Sequence, residues 1–470
     1  MLPMFLAVVD QTIVATALPA IAAATGEVER VSWIVVAYLI AATVAAPIYG
    51  RLGDSFGRRK MMFFALPIFI VASVFCALAP SIELLTLARI LQGLGGGGLM
   101  TLSQALIGET IPPRERARYQ GYIATVAVCA NSFGPVAGGY LTEHLGWPAI
   151  FWINVPIGLC AFGLTFRLPN PAVERVKWRA DPGGLVLFTI FVATSLLALE
   201  QVQQVNLDVV PLGGALFAAA LIAVLLLIRH ENRTPSPLIP LKLLRQPAIW
   251  HSDALAACHG AALVSLITFI PVYLEVVRGM SPSDTGLLLV PLTVGIGGGS
   301  LITGRLVSQT GRTTIYPIGG LVLATANFIV LALWASVMNR AEFSIILLLS
   351  GLFMGTVMGV VQVSVQSAAG QARLGEAAAS VQFSRSIGAA FGTALVATIL
   401  FAVLAIKSPE TARAFAAMIQ TRHMTPGLPP AERFMIQADI REAFRAAFLT
   451  MAAFTTIGFF LALTNPLRRI

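Results

Sequence analysis

Charge is what this chain has least of. Only 11% of its 470 residues are Asp, Glu, Lys or Arg, against 57% hydrophobic, and the mean hydropathy is +0.83. A soluble domain carries about a quarter charged residues, so this chain cannot cover itself with a water-compatible surface. Cysteine is scarce too. Cys76, Cys129, Cys160 and Cys258 stand singly in apolar stretches, which reads as small packing residues and excludes a disulfide framework or a thiolate metal site. No GxxxxGK[ST] loop is present to cradle a nucleotide, which speaks against direct use of ATP. Gly93–Gly98 is glycine-rich but lies inside an apolar run and reads as helix packing. No nucleophile–base arrangement stands out, so neither an enzyme, a metal nor a cofactor is expected.

What the chain has is long apolar stretches, continuous and not alternating, so they are membrane helices and not barrel strands. Fourteen spans are expected, near 2–22, 31–49, 61–80, 84–108, 118–141, 149–168, 183–199, 209–228, 249–276, 284–306, 314–336, 342–366, 377–405 and 442–464. Met1–Asp10 lacks a basic n-region and a small-residue cleavage site, so no cleavable signal peptide is expected; so little polar sequence precedes the first span that a native start upstream has room. Twenty Lys and Arg fall in loops on one side, at 51–60, 114–118, 167–179, 229–245, 305–312, 373 and 468–469, while the opposite short loops carry only Arg30, Arg278 and Arg340. Positive-inside places both termini in the cytoplasm of a multi-pass inner-membrane protein. The net charge of +9 follows this asymmetry, so nucleic acid is not an expected partner. Loop 406–441 holds five basic residues on the far side, but long loops translocate regardless of charge.

A short basic loop occurs twice. Gly50, Arg51, Leu52, Gly57 and Arg58 align with Gly304, Arg305, Leu306, Gly311 and Arg312 at a constant offset of 254, and SFGPVAGGYL (132–141) matches SIGAAFGTAL (386–395) at the same offset. Self-similarity of this kind in a hydrophobic chain means a duplicated helical unit and points to a transporter. The offset exceeds six helices, which leaves 183–199 and 209–228 without counterparts. The expected layout is a six-helix bundle at 1–181, two inserted helices with their linker at 182–248, and a second six-helix bundle at 249–470 with an external helical hairpin at 406–441.

These residues resemble the major facilitator superfamily, and within it the fourteen-helix drug:proton antiporter branch that exports drugs and quaternary ammonium compounds. VDQTIVATALPAI (9–21), GRLGDSFGRRK (50–60), LARILQGLGGG (87–97), SFGPVAGGYL and WPAIFWINVPIG (147–158) are similar, in order, to that branch's signatures in the first helix, the second–third loop and the fourth, fifth and sixth helices. The second loop copy departs from the first, with Ser308 where Asp54 stands. The resemblance implies two pseudo-symmetric bundles in a 6+2+6 arrangement.

Asp10 lies inside the first span, where a charged carboxylate costs roughly 2.5–3.5 kcal/mol and must face a cavity or a partner. Burial favours the neutral acid, which would suit proton exchange; a structural bond to Thr12, Thr16 or a neighbouring helix is the plainer reading. Arg89 is the one cation deep in the fourth span. It always stays charged, and the resemblance places it near the first helix, so that Asp10–Arg89 is either a switchable proton-coupling pair or a static ion pair. Gly134, Pro135, Gly138 and Gly139 permit close helix approach; by resemblance they form the antiporter motif that seals one face against proton leak. Gly50, Asp54, Gly57, Arg58 and Arg59 form the loop expected to latch the cytoplasmic gate, Asp54 being the residue that positive-inside anchoring alone does not explain. A drug-sized cavity needs apolar walls with few polar groups; Asn131, Asn154, Asp253, His259, Gln362 and Gln366 are the candidates, any of which can equally be a satisfied interhelical hydrogen bond.

The expected activity is proton-coupled export of a small amphipathic compound by alternating access in the lipid bilayer, with the proton gradient as energy source and the monomer as working unit. A periplasmic adaptor is left open as a partner. The alternative cargo is a lipid, siderophore or endogenous metabolite, and a transport-dead sensor or assembly component is the rival of another class.

Overall fold

A computed structural model describes residues 1–27, 30–168, 181–203, 210–234, 237–238, 241–408, 411–412, 415 and 430–469, with the backbone alone for 131, 132, 135, 199–203, 210–211, 241–242, 282–283 and 430–434. The described chain is all helix, with one isolated bridge between Arg312 and Arg469. In order come α1 (Leu2–Thr25), α2 (Trp33–Phe56), α3 (Arg58–Leu78), α4 (Ile82–Thr110), α5 (Pro113–Leu145), α6 (Ala149–Trp152) and α7 (Asn154–Thr165). The insert is α8 (Pro182–Gln203) and α9 (Val210–Glu231). The second half is a short α10 (Leu241–Leu244), then α11 (Pro247–Val272), α12 (Pro282–Thr310), α13 (Ile315–Trp334), α14 (Arg340–Ala369), α15 (Leu374–Lys407) and α16 (Pro430–Thr464).

Each expected span lies on a helix, the sixth divided at Ile153 into α6 and α7 and the ninth ending in a π turn at Tyr273–Val277. By length and composition ten helices can cross a membrane, and Ala149–Thr165 and Pro182–Ala198 are shorter apolar pieces. α4 and α5 are long enough but diluted, α4 by Gly93 and Gly95–Gly98 and α5 by its basic start. Local chemistry sets the ends. Ser81 and Ser281 accept from Leu84 N–H and Asp284 N–H, and Asn339 with Glu342 forms a reciprocal capping box. The repeat returns in backbone form: Gly57 and Gly311, equivalent positions, end α2 and α12 at φ 101° and 68°, values an L side chain rarely adopts. α16 starts well before the expected 442, so its first turns belong to the loop reading of 406–441; most of 409–429 lies outside the described residues.

Within each half small residues let backbones touch. Gly93 and Gly97 of α4 lie against the Tyr38 and Ala42 carbonyls of α2, and Gly95 against Phe69 of α3, which is the packing read from Gly93–Gly98. Gly295 and Gly299 of α12 interlock with Gly351 and Gly355 of α14 in the same way. Between the halves, α2 packs on α15 and α5 on α12. These contacts gather at the end that bears the repeated basic loop. Gly50 meets Gly375 there, and Gly304 meets the Ala117 carbonyl. Nearer mid-helix the seams loosen: every residue from Ala124 to Val128 on α5 and from Gln382 to Ala389 on α15 is partly exposed, whichever way it faces. α8 and α9 lie outside the α2–α15 seam. Phe188, Phe191 and Val192 fill it with Val44, and Phe383, Ile387 and Phe391 pack on them from α15.

Candidate functional site

The basic end is closed by side chains that the loop GRLGDSFGRRK supplies. Gly57 reverses the chain so that Arg58 opens α3 one turn from Asp54, and the two pair at 2.5 Å with neither exposed. Arg58 also pairs with Glu109 of α4 at 3.1 Å and donates to the Gln371 carbonyl at 3.3 Å. Asp54 then reaches across to the other half, where the N–H groups of Gly375 and Glu376 donate to its two oxygens at 2.9 and 3.0 Å. Those N–H groups belong to the first turn of α15, whose positive dipole end favours an anion. Arg59 donates instead to the Phe166 carbonyl at 2.8 Å, within its own half. The second loop copy has Ser308 in place of the acid, and its neighbourhood is held by the chain's own C-terminal segment, Thr313 donating to the Arg468 and Leu467 carbonyls.

Arg51, passed over by the sequence reading, does as much. It pairs with Glu376 and donates to the carbonyls of Pro237 and Leu238, in the linker after α9. One guanidinium therefore ties the first half, the second half and the insert's linker together. Neither Glu376 nor the linker carries a motif, so no signal in the chain pointed to them.

Asp10 sits at the centre of a network confined to the first half. Its carboxylate accepts from Arg89 at 2.6 Å, from Gln92 at 2.9 Å and from Asn154 at 2.7 Å. Gln92 also donates to Ser73 at 2.8 Å, and the Arg89 guanidinium lies 4.2 Å from the ring centre of Tyr38 and bonds the Ile34 carbonyl. Asp10, Arg89, Gln92 and Asn154 are all essentially sealed from solvent. Asn154, expected in the cavity, is buried here and donates to Asp10 from its place one residue after the break at Ile153. A pair this enclosed and this fully bonded is strongly destabilised by loss of one partner, by about 3–5 kcal/mol.

α1 is in turn held by the glycines of α5. Gly134 and Gly138 leave no room for a Cβ against Thr12 and Thr16, and the Thr12 hydroxyl donates to Val9 and Ala130 carbonyls at 3.0 and 3.3 Å. Gly139 faces open space. The helix assignment runs unbroken through Pro135, whose side chain, like that of Asn131, lies outside the described residues.

The remaining cavity candidates separate. Gln366 is fully buried and donates across the halves to the Gln104 carbonyl at 3.1 Å, next to the Gln104–Gln120 bond of 2.9 Å. Its helix face turns to α4 at the closed end, which i, i+4 spacing with Gln362 could not reveal. Gln362 is buried with its amide nitrogen unpartnered. His259 of α11 bonds the Met354 carbonyl of α14 through Nε2 at 3.0 Å, and its Nδ1 has no partner. Asp253, two turns nearer the closed end, meets only the Ser380 hydroxyl at 3.5 Å, and its second oxygen has none. Among the described residues no group of His, Cys, Asp and Glu is placed to hold a metal.

The family profile described as Major Facilitator Superfamily matches residues 1–393. An uncharacterized MFS-type transporter of Mycobacterium tuberculosis is 30% identical over 97% of this chain and 67% of its own length. The multidrug transporter protein MdtP of Bacillus subtilis is 30% identical over 84% of this chain and 73% of its own. Among solved structures, the human organic anion transporter MFSD10 superimposes with a TM-score of 0.69 over 98% of this chain and 97% of that one, at 13% identity, a likeness of fold alone.

Proposed function

The chain belongs to the Major Facilitator Superfamily, and from that premise we propose that it is a proton-coupled antiporter exporting small amphipathic compounds across the cytoplasmic membrane. The observation that carries the reading is the cross-half bond from the Gly375 and Glu376 N–H groups to Asp54, made where the halves meet, while residues 124–128 of α5 and 382–389 of α15 are all partly exposed at mid-depth. One end closed and the middle slack is one of the two states alternating access needs. Opening the other way breaks the Asp54 bonds, the Arg51–Glu376 pair and the Gln366 bond to α4 together, so the gate has few intermediate positions.

The energy source in this reading is the proton gradient. Asp10 is the acid held against a permanent cation, and protonating it releases Arg89, Gln92 and Asn154 at once. That loosens α1, the helix on which Gly134 and Gly138 rest, and gives a physical route from a proton to a helix movement. Relatives named multidrug transporters support an amphipathic cargo. The test is transport into proteoliposomes under an imposed pH gradient, with wild type set against Asp10→Asn at equal protein. Gradient-driven uptake that the substitution abolishes supports the reading; uptake indifferent to the gradient in the wild type removes proton coupling from it.

A further inference from the structure

Among the described residues, three of the deep cations are answered by carboxylates. Arg51 has Glu376, Arg58 has Asp54 and Glu109, and Arg89 has Asp10. Arg385, on α15, makes no ion pair and no hydrogen bond among the described residues, and its Nε is enclosed without a partner. It lies eleven residues beyond the start of α15, about 16 Å up the helix, in the stretch where every residue is partly exposed. A guanidinium cannot shed its charge, and a charge left unanswered at membrane depth marks a pathway by default.

The surroundings are those of a prepared site. The Arg385 carbonyl lies where a Cβ of Gly260 would be, and Ala257 does the same to Gly388, so α11 and α15 meet backbone to backbone and fix the residue's base. His259 of α11 directly precedes Gly260; its Nδ1 is enclosed and unpartnered, while Nε2 is committed to the Met354 carbonyl. Gln382, Ser384 and Ser386 on the same stretch of α15 are partly exposed polar groups. The nearest deep acid in the sequence of α11, Asp253, is two turns away and meets Ser380 instead. The group without a partner here is therefore a cation, and the partner it lacks is an anion.

We propose that Arg385, with His259 beside it, is the subsite of the transport path that takes the carboxylate, sulfonate or phosphate of an amphipathic anion. This rests on the chain being a transporter and deepens the export reading by assigning the sign of the cargo's polar group. The planar guanidinium offers two parallel N–H donors to such a group, and the open Nδ1 of His259 offers an acceptor to a hydroxyl on the same ligand. A cationic cargo meets repulsion at this point.

The test is equilibrium binding, without any gradient, of radiolabelled taurocholate, cholate and anilinonaphthalene sulfonate to the full chain in phosphatidylcholine vesicles, with ethidium as the cationic control. Arg385→Gln should weaken the anions at least tenfold, Arg385→Lys should recover part of the loss, and ethidium binding should hold or improve. Adding phosphatidylglycerol separates the two sources of such a group: Arg385-dependent competition by that lipid identifies a headgroup as a natural occupant. Anion affinities equal in wild type and Arg385→Gln, with Arg385→Lys folded and equal as well, overturn the proposal, as does failure of the folded wild type to bind any of the three. Intact anion binding with no gradient-driven transport would instead defeat the export reading and leave this subsite standing.

Discussion

Gly50 of α2 and Gly375 of α15 face each other across the two halves, each standing where the other's side chain would have to go. A Cβ on Gly50 would lie 2.7 Å from the Gly375 carbonyl oxygen. Any larger residue at either position holds the basic end apart. Overpacking of this kind costs about 1–3 kcal/mol, which shifts a closed-to-open ratio by roughly five- to 150-fold. Gly375→Val should therefore raise the labelling of a cysteine placed at Ala378 by an impermeant maleimide applied from the basic side, and transport should fall with it.

Asp54 gives the next expectation. It accepts from two backbone N–H groups of the opposite half and pairs with Arg58. Asp54→Ala leaves Arg58 with Glu109 alone in a buried place, so a loss of about 3–5 kcal/mol is expected for the closed state. Asp54→Asn keeps the shape but weakens charge-assisted bonds, and its transport rate should fall between that of wild type and Asp54→Ala.

The Asp10 network separates coupling from structure by a pair of substitutions. Asp10→Asn leaves Arg89 buried without its counter-charge, and detergent-solubilised protein should unfold at a clearly lower temperature. Asp10→Asn with Arg89→Gln removes both charges and should regain part of that temperature, while gradient-driven transport stays lost. Recovery of driven transport in the double variant would show that the pair is only a brace.

Arg51 bonds two carbonyls and a carboxylate in one plane-fixed fork, a geometry lysine cannot copy. Arg51→Lys and Arg51→Gln are both expected to free the linker, and trypsin should cut at Arg233 or Arg245 faster in each than in the wild type. Equal digestion rates would mean that the linker is held elsewhere.

The chain's own pattern announced the membrane helices and the basic loop whose Asp54 bonds across the halves, because hydropathy, glycine position and a repeated loop are all local in the sequence. It also brought Asp10 and Arg89 together, through resemblance to a family and not through spacing. The bonds of Asn154 to Asp10 and of Gln366 to the Gln104 carbonyl were not legible in the sequence for a common reason: the face a polar residue turns to is decided by how its helix is rotated against neighbours far away in the chain. Arg385 was not seen because an arginine among serines and glycines near a helix start looks like a boundary residue. Only the lack of an ion pair among the described residues, a three-dimensional fact, sets it apart from Arg51, Arg58 and Arg89.

The placement of α8 and α9 makes the two seams between the halves unlike from the viewpoint of a molecule dissolved in the lipid. On the α2–α15 side such a molecule meets Phe188 and Phe383, ring against ring with centroids 5.0 Å apart, and finds no gap. On the α5–α12 side no helix is interposed among the described residues, and Phe133, Val136 and Tyr140 of α5 stand exposed with Leu287, Val290 and Val294 of α12. The two seams therefore present different surfaces to the lipid, one covered by the aromatic rings of α8 and the other formed by α5 and α12 themselves beyond the point where Gly121 and Gly304 clamp them together.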